Sequence, residues 1–281
     1  MIFGLLGMVP ISLAEEGKWT KKAGMQNPRW GHSSSVVDGK IYIFGGVNGI
    51  NCCPFSAIVE VYDSATDAWE KVTNLPTPRN AHSSSVVNGI IYTIGGWAGG
   101  PSGIVETYNP ATNTWEEKAP MPTARTFFST SVVNGVIYAI GGGSANAGDA
   151  KIYAAVEVYD PVTDTWTKET DLPTPRLALS TNVVDGKIYA IGGGPWVGLS
   201  TVEVYEPATD TWTKETDMPT PKYFLSTSAV DGKIYAIGGG PAVNVNYPKA
   251  IVEAFDTGFG LSSVNPAGKL STTWGGIKAA R

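Results

Sequence analysis

Basic side chains recur at one place in this sequence: Arg29, Arg79, Arg125, Arg176 and Lys222 each stand a few residues ahead of a Ser/Thr-rich stretch. Gathered on one rim, five cations raise the local potential against a net charge of -5 and favour an anionic ligand held by charge-assisted hydrogen bonds. Aromatic residues accompany them. Trp30 and Tyr223 directly follow a basic residue, and Phe55, Trp97, Tyr153, Trp196 and Tyr247 fall in the stretches where the sequence varies most. Arginine with aromatics is the composition that anchors ligands and partners. The alternative is architectural, with each cation bonding to loop carbonyls or to a neighbouring unit. Glu60, Glu106, Glu157, Glu203 and Glu253 recur as regularly, which reads as structure, since a catalytic carboxylate would be unique. His32 and His82 share one position without nearby carboxylates or thiols and make a poor metal site, so no metal or other cofactor is expected. Cys52 and Cys53 are adjacent and cannot staple distant parts of the chain.

These residues are carried by a repeat. NPRWGHSSSVVDGKIYIFGG (27–46), TPRNAHSSSVVNGIIYTIGG (77–96), TARTFFSTSVVNGVIYAIGG (123–142), LPTPRLALSTNVVDGKIYAIGGG (172–194) and MPTPKYFLSTSAVDGKIYAIGGG (218–240) are five spellings of one phrase. Gly45, Gly95, Gly141, Gly192 and Gly238 stand 50, 46, 51 and 46 residues apart, and Trp19, Trp69, Trp115, Trp166 and Trp212 keep the same intervals. A period of this length marks a repeat architecture.

One copy contains four strand-like runs: LALSTNVV, KIYAIGG, TVEVYEP and TWTKET. Asp185-Gly186 between the first two is a tight-hairpin signal, replaced by Asn-Gly at 88–89 and 134–135. In KIYAIGG both alternating faces are apolar and no helix is available to cover them, so sheet must stack on sheet. Five small sheets, each needing a neighbour on both sides, are satisfied by a ring: an all-β, five-bladed β-propeller of four-stranded blades. The fourth, Trp-bearing strand occurs once before the first copy, in GKWTKKAG, and no Trp follows Phe255 at the expected distance. The N-terminal strand around Trp19 is therefore expected to close the ring on the third strand of the last blade; Trp274, in KLSTTWGGIK, is the rival. If the first strand runs from the Arg toward Asp-Gly, the Arg positions and the variable loops after Gly-Gly share one end of the channel.

The double glycine after an apolar strand, the Tyr within that strand (Tyr42, Tyr92, Tyr138, Tyr189, Tyr235) and the Trp closing each unit resemble kelch repeats over residues 19–256. The Pro-Arg at the head of three of the copies, with Ala-Arg and Pro-Lys in the other two, and the VEVYDPxTDTW-like segments resemble kelch-domain proteins of exported bacterial type. Such propellers commonly have six or seven blades, so five is a departure. The resemblance implies a binding module. It also offers two enzymatic precedents. A copper oxidase of galactose needs two His, two Tyr and a Cys on the metal, which this arrangement of His and Cys does not supply. A sialic-acid mutarotase could use an Arg ring for a sugar carboxylate and a Glu to move a proton, but no motif singles out such a pair.

Composition, with 42% hydrophobic residues, 34 Gly and 19 Pro, is that of a turn-rich globular chain, and the acidic balance argues against nucleic acid. No run reaches the ~20 apolar residues of a membrane helix. Residues 1–14, MIFGLLGMVPISLA, read as an apolar leader or the tail of a signal peptide ending in a small-x-small pattern. The expected organisation is a leader at 1–14, a propeller at 15–256 and a tail at 257–281. The expected function is a secreted or periplasmic scaffold whose mouth, rimmed by the basic and aromatic residues above, takes a protein segment or an acidic or sugar ligand. A sugar-processing enzyme and a purely structural unit of a surface assembly are the alternatives.

Overall fold

The computed structural model of the chain describes residues 20–48, 54–144, 151–241 and 251–258. Among the described residues nineteen strands form five antiparallel sheets in sequence order, as the repeat requires. Blade 1 contains β1 (Ser33–Val37), β2 (Lys40–Phe44), β3 (Val59–Asp63) and β4 (Ala68–Lys71). Blade 2 contains β5 (Ser83–Val87), β6 (Ile90–Trp97), β7 (Pro101–Asn109) and β8 (Thr114–Lys118). Blade 3 contains β9 (Ser129–Val133), β10 (Val136–Ile140), β11 (Val156–Asp160) and β12 (Thr165–Glu169). Blade 4 contains β13 (Ser180–Val184), β14 (Lys187–Ile191), β15 (Val202–Glu206) and β16 (Thr211–Lys214). Blade 5 has β17 (Ser226–Val230), β18 (Lys233–Ile237) and β19 (Val252–Asp256).

Each first hairpin turns through two residues of positive φ, such as Asp185 at 50° and Gly186 at 73°, the twist that matches a two-residue antiparallel connection. The first strands of the blades line the axis, β1 packing on β5, β5 on β9, β9 on β13 and β13 on β17. Their hydroxyls bridge from blade to blade: Ser35 to Ser84 at 2.9 Å, Ser85 to Thr130 at 2.8 Å, Ser131 to Thr181 at 2.8 Å, and Asn182 to Thr227. Apolar clusters fill the interblade spaces. Ile140, Val156, Leu172, Ile188, Ala190 and Tyr205 form one of them, with Trp212 packed against it.

A polar clamp in the turn between third and fourth strands ties each of the first four blades to the chain that precedes it. In blade 3, the Tyr159 hydroxyl donates to Asp164 Oδ1 at 2.6 Å, and the same oxygen accepts the Ala119 N–H at 2.8 Å. Trp166 Nε1 donates to the Ala119 carbonyl at 2.9 Å. Asp164 adopts φ 52°, which brings its carboxylate back over the turn. The hydrogen bonds from Tyr159 and Ala119 hold the Asp164 carboxyl below its usual range. In blade 5 Phe255 stands in the place of the Tyr and has no hydroxyl, and no Asp-x-Trp follows it in sequence.

The residues on which the expected closure of blade 5 turns fall largely outside the described ones. Trp19 lies outside the described residues, as do Cys52, Cys53, Trp274 and most of the tail. Thr20 and Lys21 belong to no strand, and residue 23 is bonded to blade 1: Ala23 N–H donates to Asp67 at 2.9 Å and its carbonyl accepts Trp69 Nε1 at 2.8 Å. β17 does not pack on β1 as the other first strands pack on one another. In consequence Val230 (52% exposed), Ile237 (42%) and Val252 (60%) are open on blade 5. Their counterparts Val184, Ile191 and Val202 are buried.

Replacing Tyr159 by Phe, the residue type at the matching position of blade 5, should remove one donor and cost about 1 kcal/mol of stability. Thermal melting of Tyr159→Phe against Phe255→Tyr checks this. The second change has no acceptor in place and should not stabilise.

Candidate functional site: the loop-side mouth of the channel

The expected topology holds. Bridges Trp30–Val47, Asn80–Trp97, Leu177–Gly194 and Tyr223–Gly240 place the basic segments beside the loops that follow the double glycines. The close approach needs glycine: a Cβ on Gly96, at φ 94°, would stand 2.6 Å from the Asn80 carbonyl oxygen.

The cations themselves are not on the mouth. Arg29, Arg79, Arg125, Arg176 and Lys222 are buried in the wall of their own blades, and the expected basic rim is corrected accordingly. Each Arg meets the Glu of the third strand: Arg29–Glu60 at 2.8 Å, Arg79–Glu106 at 2.8 Å, Arg125–Glu157 at 3.0 Å and Arg176–Glu203 at 2.8 Å. The guanidinium also donates to strand and loop carbonyls, as Arg125 does to Ala155 O and Ala139 O, both at 2.9 Å. The same Glu accepts a hydroxyl from the linker, Thr77 to Glu106, Thr123 to Glu157 and Thr174 to Glu203. Burial pushes Arg125 and Arg176 down to about 10, against the pull of Glu157 and Glu203, and both remain charged at neutral pH. In blade 5 the cation is Lys222, whose ammonium lies 3.7 Å from Glu253 and reaches the Gly238 carbonyl at 3.2 Å.

Breaking a buried pair of this kind leaves an uncompensated charge, so Arg125→Ala should cost roughly 3–5 kcal/mol. Lys222→Arg, which restores the planar fork of the other four blades, should raise the melting temperature; a fall would show that blade 5 cannot accommodate the pair.

The mouth proper is built two residues after each cation. Gly31, Ala81, Phe127, Ala178 and Phe224 all have positive φ, between 51° and 66°. Their peptides bond in series around the axis: Ala81 N–H to Gly31 O at 2.8 Å, Phe127 to Ala81 at 3.1 Å, Ala178 to Phe127 at 2.7 Å and Phe224 to Ala178 at 3.2 Å. Left-handed backbone is uncommon for bulky residues. Phe127 and Phe224 adopt it, and their rings meet edge-on at 5.3 Å across the smaller Ala178. Tyr223 is buried beneath Phe224, ring centroids 4.5 Å apart. A cavity of ≈ 280 Å³ opens inside this ring, and the next residues, His32, His82, Phe128, Leu179 and Leu225, also line it.

Of the other expected aromatics, Trp30 and Trp196 are exposed, whereas Trp97, at the end of β6, and Tyr153 are half-buried. Tyr247 lies outside the described residues. Phe127 and Phe224 were missed by sequence reasoning. The signal was present as a departure from the repeat, phenylalanine at a position held elsewhere by Gly or Ala. Among the described residues no three His, Cys, Asp or Glu gather as a metal site.

Comparison with known proteins agrees with this architecture. Residues 13–142 match the KLHDC2/KLHL20/DRC7 Kelch-repeats domain, and residues 124–173 and 175–219 match the Kelch motif. The chain belongs to the kelch-repeat β-propellers. A solved structure of YjhT is similar with a TM-score of 0.64 and 19% identity, over 78% of this chain and 74% of that one, a likeness of fold. No curated protein matches.

Among the described residues that line the channel, His82 is the buried titratable group. Its Nε2 pairs with Ser33 Oγ at 2.8 Å, and Nδ1 has no partner among the described residues. Burial, then Arg79 and His32, hold it well below its ordinary value. The unfolded chain, titrating near 6.5, therefore takes the proton first as pH falls, and stability drops by about 1.4 kcal/mol per unit below that point. Between pH 7 and 5.5 His82 should account for roughly 1 kcal/mol of lost stability. His82→Leu, the residue type at 179 and 225, should flatten the pH dependence of melting; an unchanged slope would assign the loss elsewhere.

Proposed function

We propose that this protein is an interaction scaffold that takes an apolar segment of a partner protein on the loop-side mouth of its channel. One observation carries the reading. Trp196, at φ 73° and 44% exposed, and Phe224, at φ 56° and 52% exposed, combine a costly backbone conformation with a large apolar side chain left in water. The backbone of Phe224 is set by the axial peptide series, but an aromatic ring there, where Gly or Ala would satisfy the geometry, is what a partner would use. Trp30 and Val197 add apolar surface at the same end. Loops that differ on a scaffold that repeats are the usual carriers of specificity.

The acidic or sugar ligand loses its motive, because the cations meant to hold it are neutralised inside the wall. A proton-transfer role for the repeated Glu loses it too, each being held by its Arg or Lys. The leader at residues 1–14 supports an exported location, and the reading extends to a scaffold working outside the cytoplasm.

Peptides selected from a displayed library on the immobilised protein should be rich in apolar residues and should bind Trp196→Ala and Phe224→Ala at least tenfold more weakly, about 1.4 kcal/mol or more per anchor. Val162→Ala, in the turn at the opposite end, should bind as the parent does. Acidic peptides whose binding fades with salt and survives both substitutions would sink the proposal.

A further inference from the structure

At the end of the blades away from the mouth, the first residue after the hairpin turn is a lysine in blades 1, 4 and 5, and each lysine pairs with an acid of the third strand: Lys40 with Asp63 at 3.8 Å, Lys187 with Glu206 at 3.1 Å and Lys233 with Asp256 at 3.6 Å. Blade 2 removes both charges at once. Ile90 stands in the place of the lysine and Asn109 in that of the acid, whereas blade 3 has Val136 and keeps Asp160. The residue facing the second-strand tyrosine also changes: Thr107 faces Tyr92, where Val61, Val158 and Val204 face Tyr42, Tyr138 and Tyr189. On the outer strand Lys118 opposes Val105, whereas in blade 3 Glu169 opposes Val156.

These changes coincide with a cavity of ≈ 200 Å³ lined by Ile90, Tyr92, Thr107, Asn109, Glu116 and Lys118. It lies on the face whose inner part, Tyr92, Ile94 and Val105, packs on Ile137 and Tyr159 of blade 3. At the matching place in blade 1, where Lys40 also reaches Glu70 at 3.7 Å, the cavity is ≈ 110 Å³. The polar groups of the blade 2 cavity have bonding capacity left over. Asn109 Oδ1 accepts the Ala111 N–H at 3.0 Å, which orients the amide and leaves its N–H donors without a partner among the described residues. Lys118 Nζ donates to Glu116 Oε1 at 2.6 Å, so its other N–H groups and the second Glu116 oxygen remain. The Tyr92 hydroxyl bonds to nothing among the described residues.

We propose that this cavity binds a neutral pyranose, free or at the end of a glycan. A sugar hydroxyl both donates and accepts, and several on one ring match amide, ammonium and phenol donors set beside a carboxylate acceptor. Ile90 and the Tyr92 ring give the C–H face of the sugar an apolar wall. Because Glu116 and Lys118 compensate each other, the cavity has no surplus charge to hold an anion or a cation. The Arg–Glu pairs of the blade walls play no part. The site is chemically unlike the mouth and lies toward the other end of the blades, so the two can be filled together.

Ligand-observed NMR on the full chain, with free hexoses and their methyl glycosides as probes, should show saturation transfer and a Kd of about 1 mM, ordinary for so small a ligand. Equal binding of hexose and glycoside assigns the cavity to a glycan end, and loss with the glycoside assigns it to the free sugar. Ile90→Lys/Asn109→Asp, which writes the ion pair of blades 1 and 5 into blade 2, should abolish binding while the melting temperature holds. Lys118→Glu, the residue type at 169, should weaken binding roughly tenfold, as for loss of a hydrogen bond to a charged group. Phe224→Ala, at the mouth, should bind sugar as the parent does. No transfer from any of these sugars, preferential binding of acetate or free glycine, or sugar binding that survives both blade 2 variants overturns the proposal.

Discussion

The buried Arg–Glu pair is the joint on which each blade depends. A propeller blade has loops at both ends and no helix to brace them, so something must fix the long variable loop relative to the strands beside it. The guanidinium does this with several donors at once: in blade 3 it holds Glu157 of β11, the Ala139 carbonyl of β10 and the Ala155 carbonyl at the entry to β11. Taking two charges out of water is expensive, and it is tolerable here because each is paired and the Glu accepts a further hydroxyl. A lysine has neither the fork nor the reach. In blade 5 its separation from Glu253 widens to 3.7 Å.

That weakening is one of several that coincide. Blade 5 gives up the Arg and the Tyr hydroxyl together, and among the described residues it is the blade that leaves Val230, Ile237 and Val252 exposed. Repeats are stabilised by what each unit buries against its neighbour. A unit with neither a clamp nor a covered face contributes least, and local opening is expected to begin there.

The mouth follows a different rule. Its ring of left-handed residues is imposed by the peptide series around the axis, and glycine or alanine would satisfy that geometry. Phenylalanine at 127 and 224 exceeds what the geometry asks and turns a structural collar into an apolar surface. With the cations withdrawn into the wall, the end of the channel that carries the variable loops is aromatic rather than basic, and the chemistry it offers is hydrophobic contact.

The sequence by itself determined the repeat, the strand order and the end of the channel where the variable loops lie, because those follow from local signals: Asp-Gly turns, two-faced apolar strands, and Trp and Gly-Gly at matched intervals. It also placed Arg29, Arg79, Arg125 and Arg176 at the right end of the blade. Only the tertiary structure decided that they point into the wall, since a side chain's direction depends on its partner, here a Glu some thirty residues downstream on another strand. The equal number and matched spacing of Arg and Glu hinted at that pairing, but spacing alone does not distinguish a neighbour across a sheet from one across a channel. The collar of Phe127 and Phe224 was hidden for a related reason. Its positive φ arises from hydrogen bonds between blades about fifty residues apart in sequence, and no local pattern encodes contacts of that range.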